Sequence, residues 1–109
     1  LGTESMWLSA RALGCEAFIP GLANAFPEIV RQMFEEGMRG DYEACRETQF
    51  RVNELRDSMY LARSTQLAVY AMLELRGVIR AFPRSPFAPA SEPEKRAIGD
   101  ALTRIGMLN

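Results

Sequence analysis

Few of the side chains that ordinarily do chemistry occur in this 109-residue chain, and their placement narrows what it can do. Histidine is absent. That removes Ser-His-Asp and Cys-His nucleophile arrangements, the usual base near neutral pH, and His-containing zinc or di-iron centres. Cys15 and Cys45 stand far apart without a Cys-x-x-Cys spacing, which predicts two buried thiols rather than a disulfide framework or a zinc site. The one lysine, Lys95, follows Glu94 in the solvated first turn of a predicted helix, whereas a nucleophilic amine needs burial to hold it neutral. Tyr42, Tyr60 and Tyr70 fall at helix positions that read as core. The glycines at 2, 14, 21, 37, 40, 77, 99 and 106 never reach the spacing of a phosphate-binding loop. Asn24 reads as a helix cap or loop tie before it reads as a ligand contact. Arg84 could pair with a carboxylate, but reads first as an anchor for the proline-rich stretch around it. No catalytic residue and no metal ligand is assigned.

Charge and hydropathy exclude further classes. Thirteen basic and fourteen acidic side chains leave a net charge of −1, which offers no electrostatic footprint for nucleic acid or an anionic membrane. No apolar run approaches the roughly 20 residues needed to span a bilayer, and no basic segment leads into an apolar signal stretch. A cytoplasmic protein of one domain is expected, large enough to bury roughly two thirds of its unfolded surface.

The elements that must position these residues are mostly helices. Thr3 and Glu4 start a short helix through about residue 13, which Gly14 stops. Ala17-Phe18-Ile19 is short and continuously apolar, the mark of a buried strand in a parallel sheet. Pro20-Gly21 ends it, Asn24 offers a cap, and Pro27 suits the first turn of an amphipathic helix over about 27 to 38, with Glu35 and Arg39 four apart. Gly40-Asp41 then opens a helix of about twenty residues, striped by Tyr42, Cys45, Gln49, Val52, Leu55, Met59 and Ala62. Ser64 caps a helix to about residue 76, apolar nearly all round, which wants burial on several sides or a partner. Pro83, Pro86 and Pro89 make the next stretch an extended crossing, and a Ser91/Glu94 capping box opens a last helix with Ile98, Ala101, Leu102 and Ile105 inward. A parallel strand cannot satisfy its backbone alone, and no second strand is evident. Leu1-Gly2-Thr3-Glu4 opens straight into a helix start, so the chain is expected to be a piece of a larger barrel.

The order of these features resembles the C-terminal third of the dihydrodipicolinate synthase and N-acetylneuraminate lyase family. Gly2-Thr3-Glu4, Gly14 with Ala17-Phe18-Ile19, Asn24 with Pro27, Gly40-Asp41, Gly77-Val78-Ile79, Arg84-Ser85-Pro86 and the ending Gly106-Met107-Leu108 carry the likeness, which covers essentially the whole chain. Pro20 stands where the family commonly has Ser, and Ala17 where it often has Gly. The resemblance implies a mainly α chain that is the C-terminal remnant of a (β/α)8 TIM barrel: strand 8 and its helices, plus a C-terminal helical extension. Residues 1–39 would be the barrel remnant and residues 40–109 the helical domain. It implies a parent lyase or aldolase that holds pyruvate or a related 2-keto acid as a Schiff base on a strand-6 lysine, without a further cofactor. That lysine, the tyrosine proton relay and the Thr-Thr carboxylate-binding turn would all lie upstream of Leu1, leaving the fragment inactive alone. Substrate-binding roles carry over to Gly2, beside the keto acid, to Ile19, whose backbone lies beside the Schiff base, and to the adjoining Gly21 and Asn24. Exposure of the barrel-facing side of residues 5 to 38 predicts homo-oligomerisation. The alternative is a free-standing helical protein-interaction module that docks a partner through the apolar helix from Leu67 to Leu75.

Overall fold

In the computed structural model, which describes residues 1–108, the secondary structure is helical throughout and no strand occurs among the described residues. Helix α1 (Trp7–Ala12) follows a 3-10 turn at Glu4–Met6; α2 (Pro27–Met38), α3 (Tyr42–Asp57), α4 (Thr65–Leu75) and α5 (Glu92–Arg104) complete the set. Contacts gather the chain into two compact units, Leu1–Glu54 and the residues from Leu55 onward.

The first unit is built on Trp7. Its indole is fully buried and forms a three-ring cluster with Phe18 and Phe34, ring centroids 4.7 and 5.1 Å from it and 5.8 Å from each other. Its Nε1–H donates to the Met33 carbonyl at 3.1 Å, and the Cys45 thiol donates to the same oxygen at 3.5 Å. Gly37 lies directly under the ring: a Cβ placed there would sit 2.5 Å from Nε1. A glycine one α-helical turn after Met33 thus admits the indole against the backbone of α2. Leu22 and Phe26, Ile29, Val30 and Met33 of α2, and Cys45 and Val52 of α3 are also buried in this unit. Pro27 takes the first turn of α2 as expected, while Glu35 pairs with Arg31 at 2.8 Å rather than with Arg39.

Several expectations are corrected here. The strand at about 16–19 does not form; the segment has no regular secondary structure, and of its three apolar residues only Phe18 turns inward, onto Trp7 and Phe34. Ile19 is 80% exposed. An apolar run specifies burial but cannot supply neighbours, and a single extended segment has no ladder to join. Asn24 is not a helix cap. A 3-10 turn at Gly21–Asn24 intervenes, and the N-cap of α2 is Phe26, without a side-chain bond. Cys15 is exposed, beyond the turn at Gly14, whereas Cys45 is buried. Tyr42 and Tyr60 are exposed and Tyr70 half-buried: Tyr42 opens α3, and Tyr60 lies in a 3-10 turn at Ser58–Leu61 and accepts from Arg56.

In the second unit the local signals hold. Ser64 Oγ accepts from the Leu67 N–H, and Ser91 with Glu94 closes both halves of a capping box. Helix α4 buries Leu67, Ala68, Val69, Ala71 and Met72, on more than one side, and Ile98, Ala101 and Leu102 of α5 are buried. Arg63 ties the proline-rich crossing down, donating to the Pro89 carbonyl at 2.6 Å, while its Nε lies 3.3 Å from Glu94.

Candidate functional site

The residues expected at the keto acid come from two stretches of the first unit. Thr3, itself extended, accepts at Oγ1 from the Ser5 N–H at 3.2 Å, which starts the 3-10 turn after the Leu1–Gly2 segment. Ile19 approaches from the other stretch: its N–H donates to the Leu1 carbonyl at 2.9 Å. This bond sets the Leu1–Gly2 segment beside Ile19.

Beyond Pro20, the next turn is held by its own hydrogen bonds. Ala23 N–H donates to the Pro20 carbonyl at 3.2 Å, and Asn24 Nδ2 donates to the Gly21 carbonyl at 2.9 Å. Leu22 anchors the turn in the core with no exposed surface. Gly2, Ile19, Gly21 and Asn24 themselves are all exposed. A Cβ at Gly2 or Gly21 would meet nothing within 4 Å, so internal packing does not demand glycine at either position.

This lip offers main-chain donors and acceptors, the Asn24 amide and an apolar Ile19 side chain, with no acid, base or nucleophile among the four. Such groups can bind and orient; they cannot transfer a proton or form a covalent adduct. The amine is elsewhere: in the second unit, Lys95 Nζ lies 3.2 Å from Glu74 and 3.7 Å from Glu92. Among the described residues no three His, Cys, Asp or Glu side chains converge as metal ligands, and no helix is long and apolar enough to cross a membrane.

Two features beside the lip were not assigned from sequence. One is the Trp7 platform, which receives Phe18 immediately before Ile19. The other is Gln49, a polar residue inside the apolar stripe of α3, which is only 5% exposed and whose carboxamide bonds to Glu4 and Leu8. Its position in the stripe was the available signal.

A family model for the dihydrodipicolinate synthetase family matches residues 1–105. The chain belongs to that family. The 4-hydroxy-tetrahydrodipicolinate synthase of Methanosarcina barkeri is 27% identical over 107 residues, which take in 98% of this chain and 36% of that protein. A crystal structure of a dihydrodipicolinate synthase superimposes with a TM-score of 0.83 at 25% identity, over 98% of this chain and 37% of that one. A variant of the 2-keto-3-deoxygluconate aldolase of Sulfolobus solfataricus shares the fold, with a TM-score of 0.84 at 17% identity, over 95% of this chain and 36% of that one. The chain therefore spans little more than a third of the length of the relatives it matches. Its helices correspond to one portion of the (β/α)8 barrel enzymes of this family.

Proposed function

We propose that these residues are the C-terminal part of a Schiff-base-forming lyase or aldolase that acts on pyruvate or a related 2-keto acid. In this reading Gly2, Ile19, Gly21 and Asn24 form the rim that the keto acid meets, and the reactive lysine belongs to a strand outside these 109 residues. The observation that carries the reading is the Ile19 N–H to Leu1 carbonyl bond. It sets side by side the two segments to which the family likeness gives substrate contact, in a chain that the family model matches almost throughout.

Lys95, the sole lysine, supports placing the amine elsewhere, since its ammonium is paired with two carboxylates on α4 and α5. The 109 residues alone accordingly give no turnover. Leu1, Met6, Leu13, Ile19 and Met38 are all exposed, and this exposed apolar area supports the expected association between copies. A monodisperse monomer by light scattering at high concentration would count against that association. The cytoplasm is the compartment that fits a 2-keto-acid enzyme of this kind. The interaction-module alternative needs an α4 available to a partner, and five of its apolar residues are already buried.

Borohydride reduction in the presence of pyruvate tests the proposal. The 109 residues should remain unlabelled, and the protein from the full reading frame that holds them should gain one pyruvate-derived adduct on a lysine upstream of Leu1. Labelling of Lys95, or a full-length protein that takes no label, would overturn it.

A further inference from the structure

The start of the first unit contains a broken helix. In an unbroken helix the Leu8 N–H would donate to the Glu4 carbonyl, four residues back. Instead the 3-10 turn at Glu4–Met6 and α1 meet at Met6, whose φ of −124° and ψ of 20° leave the helical region. The two groups that would have bonded to each other are both taken by Gln49. Its Oε1 accepts from the Leu8 N–H at 3.1 Å, and its Nε2 donates to the Glu4 carbonyl at 2.9 Å. A second bond from Nε2, to Asn53 Oδ1 at 3.1 Å, fixes the carboxamide from its own helix. A side chain inserted into the i to i−4 ladder is an established cause of helix bending. Here it comes from α3, so the bend is imposed from outside the helix that bends.

The bend matters for what precedes it. Gly2 lies two residues before Glu4, and the Leu1 carbonyl is the group that accepts from Ile19. Resting on the keto-acid reading above, we infer that Gln49 is a positioning residue: its carboxamide, wedged between Glu4 and Leu8, sets the approach of the Leu1–Gly2 segment to Ile19. Without the wedge the freed Leu8 N–H and Glu4 carbonyl close on each other, and the 3-10 turn and α1 run together as one helix. The Leu1 carbonyl is then drawn off the Ile19 N–H. Gln49 touches no substrate in this account; it acts through the backbone at both ends of the bend.

The test uses the protein from the full reading frame, with Gln49→Met, which keeps length and loses both bonds, and Gln49→Glu, which keeps an acceptor for Leu8 and loses the donor to Glu4. Hydrogen exchange read on peptides should show lost protection at Ile19 in both variants, with the larger loss in Gln49→Met. The pyruvate concentration that gives half-maximal borohydride trapping should rise roughly tenfold in Gln49→Met, with the yield at saturation unchanged, because displacement of binding groups weakens capture without removing the amine. A merely structural role would lower the melting temperature and leave that half-saturation point alone. Unchanged protection at Ile19 in a folded variant overturns the inference, as does an unchanged half-saturation point alongside lost protection. If Gln49→Met does not fold, Gln49→Glu decides by the same two readouts. If the unmodified protein takes no label at all, the keto-acid reading fails separately, and exchange at Ile19 still decides whether Gln49 is the wedge.

Discussion

Replacing Gly37 by alanine sets two effects of opposite sign against each other. Gly37 lies near the C-terminal end of α2, and its φ is not in the left-handed region, so its backbone accepts alanine and helix propensity alone would favour the change by about 1 kcal/mol. The added Cβ, however, would fall 2.5 Å from Trp7 Nε1, 3.0 Å from Cε2 and 3.3 Å from Cζ2. The indole has nowhere to go, being fully buried and stacked against both Phe18 and Phe34. Overpacking of this kind costs about 1–3 kcal/mol. Displacing the ring also stretches the 3.1 Å bond from Nε1 to the Met33 carbonyl, and a buried donor left unpaired costs about 1–3 kcal/mol. With central values for the two costs and the propensity gain subtracted, Gly37→Ala destabilises the first unit by about 3 kcal/mol. Urea titration followed by the emission of Trp7, the chain's one tryptophan, reads this unit directly. Gly99→Ala in α5 is the matched control. Its nearest neighbours would be Leu75 methyls at 3.8 Å, an ordinary contact, so the same substitution should there stabilise by up to about 1 kcal/mol, read by far-ultraviolet circular dichroism. A Gly37→Ala protein with a urea midpoint at or above the parent's, with unchanged Trp7 emission and unchanged slope, would refute the argument.

Ser91→Ala removes the hydroxyl that accepts from the Glu94 N–H at 3.3 Å and should cost about 1 kcal/mol in the thermal unfolding of the second unit. Glu94 links that cap to pH: the Ser91 backbone N–H, then the Ser91 hydroxyl and the N–H and charge of Arg63, hold its carboxyl below the ordinary 4.5. Because the folded value is the lower one, its stabilising contribution is complete above about 4.5 and is lost as pH falls through the folded value. Glu94→Gln should flatten that acid limb of the stability curve, and an unaltered limb would exclude Glu94 as its source. Thiol reagents should modify the exposed Cys15 at once and Cys45 only on unfolding; burial, with Glu36 and Asp41 nearby, pushes the Cys45 thiol above its ordinary 9.0. Equal rates at the two cysteines in the native protein would contradict the packing around Met33.

What the sequence made legible was local chemistry. Pro27, Ser64, the Ser91/Glu94 pair and the glycines after α1, α2 and α4 announce helix ends through bonds made within a few residues, and each end lies where those residues put it. Residues whose state depends on distant partners were harder. Ala17-Phe18-Ile19 carries the composition of a sheet interior, yet Phe18 alone finds a partner, because Trp7 and Phe34 are present in the same unit. Tyr42 and Tyr60 continue a helical period that includes core positions, but period does not reveal where the core ends. At the candidate site, the Leu1 to Ile19 bond joins residues remote in sequence, and no spacing rule predicts it. The family likeness brought those two stretches to attention.

The exposure of Ile19 links the fold to the proposed chemistry. Burying an isoleucine side chain is worth about 1.5–3 kcal/mol, and here that stabilisation is left unrealised while the neighbouring Phe18 is packed. A residue held outward in this way has its own N–H paired to Leu1 without forming a ladder. The conformation is therefore maintained from the side that is packed, by Phe18 on the Trp7 platform, Leu22 in the core and the Gln49 carboxamide between Glu4 and Leu8. A keto acid bound at such a rim would draw its orientation from three anchors it never touches. Substitutions at Trp7, Leu22 and Gln49 should accordingly alter capture of the substrate more than substitutions of exposed residues such as Glu43 or Arg46.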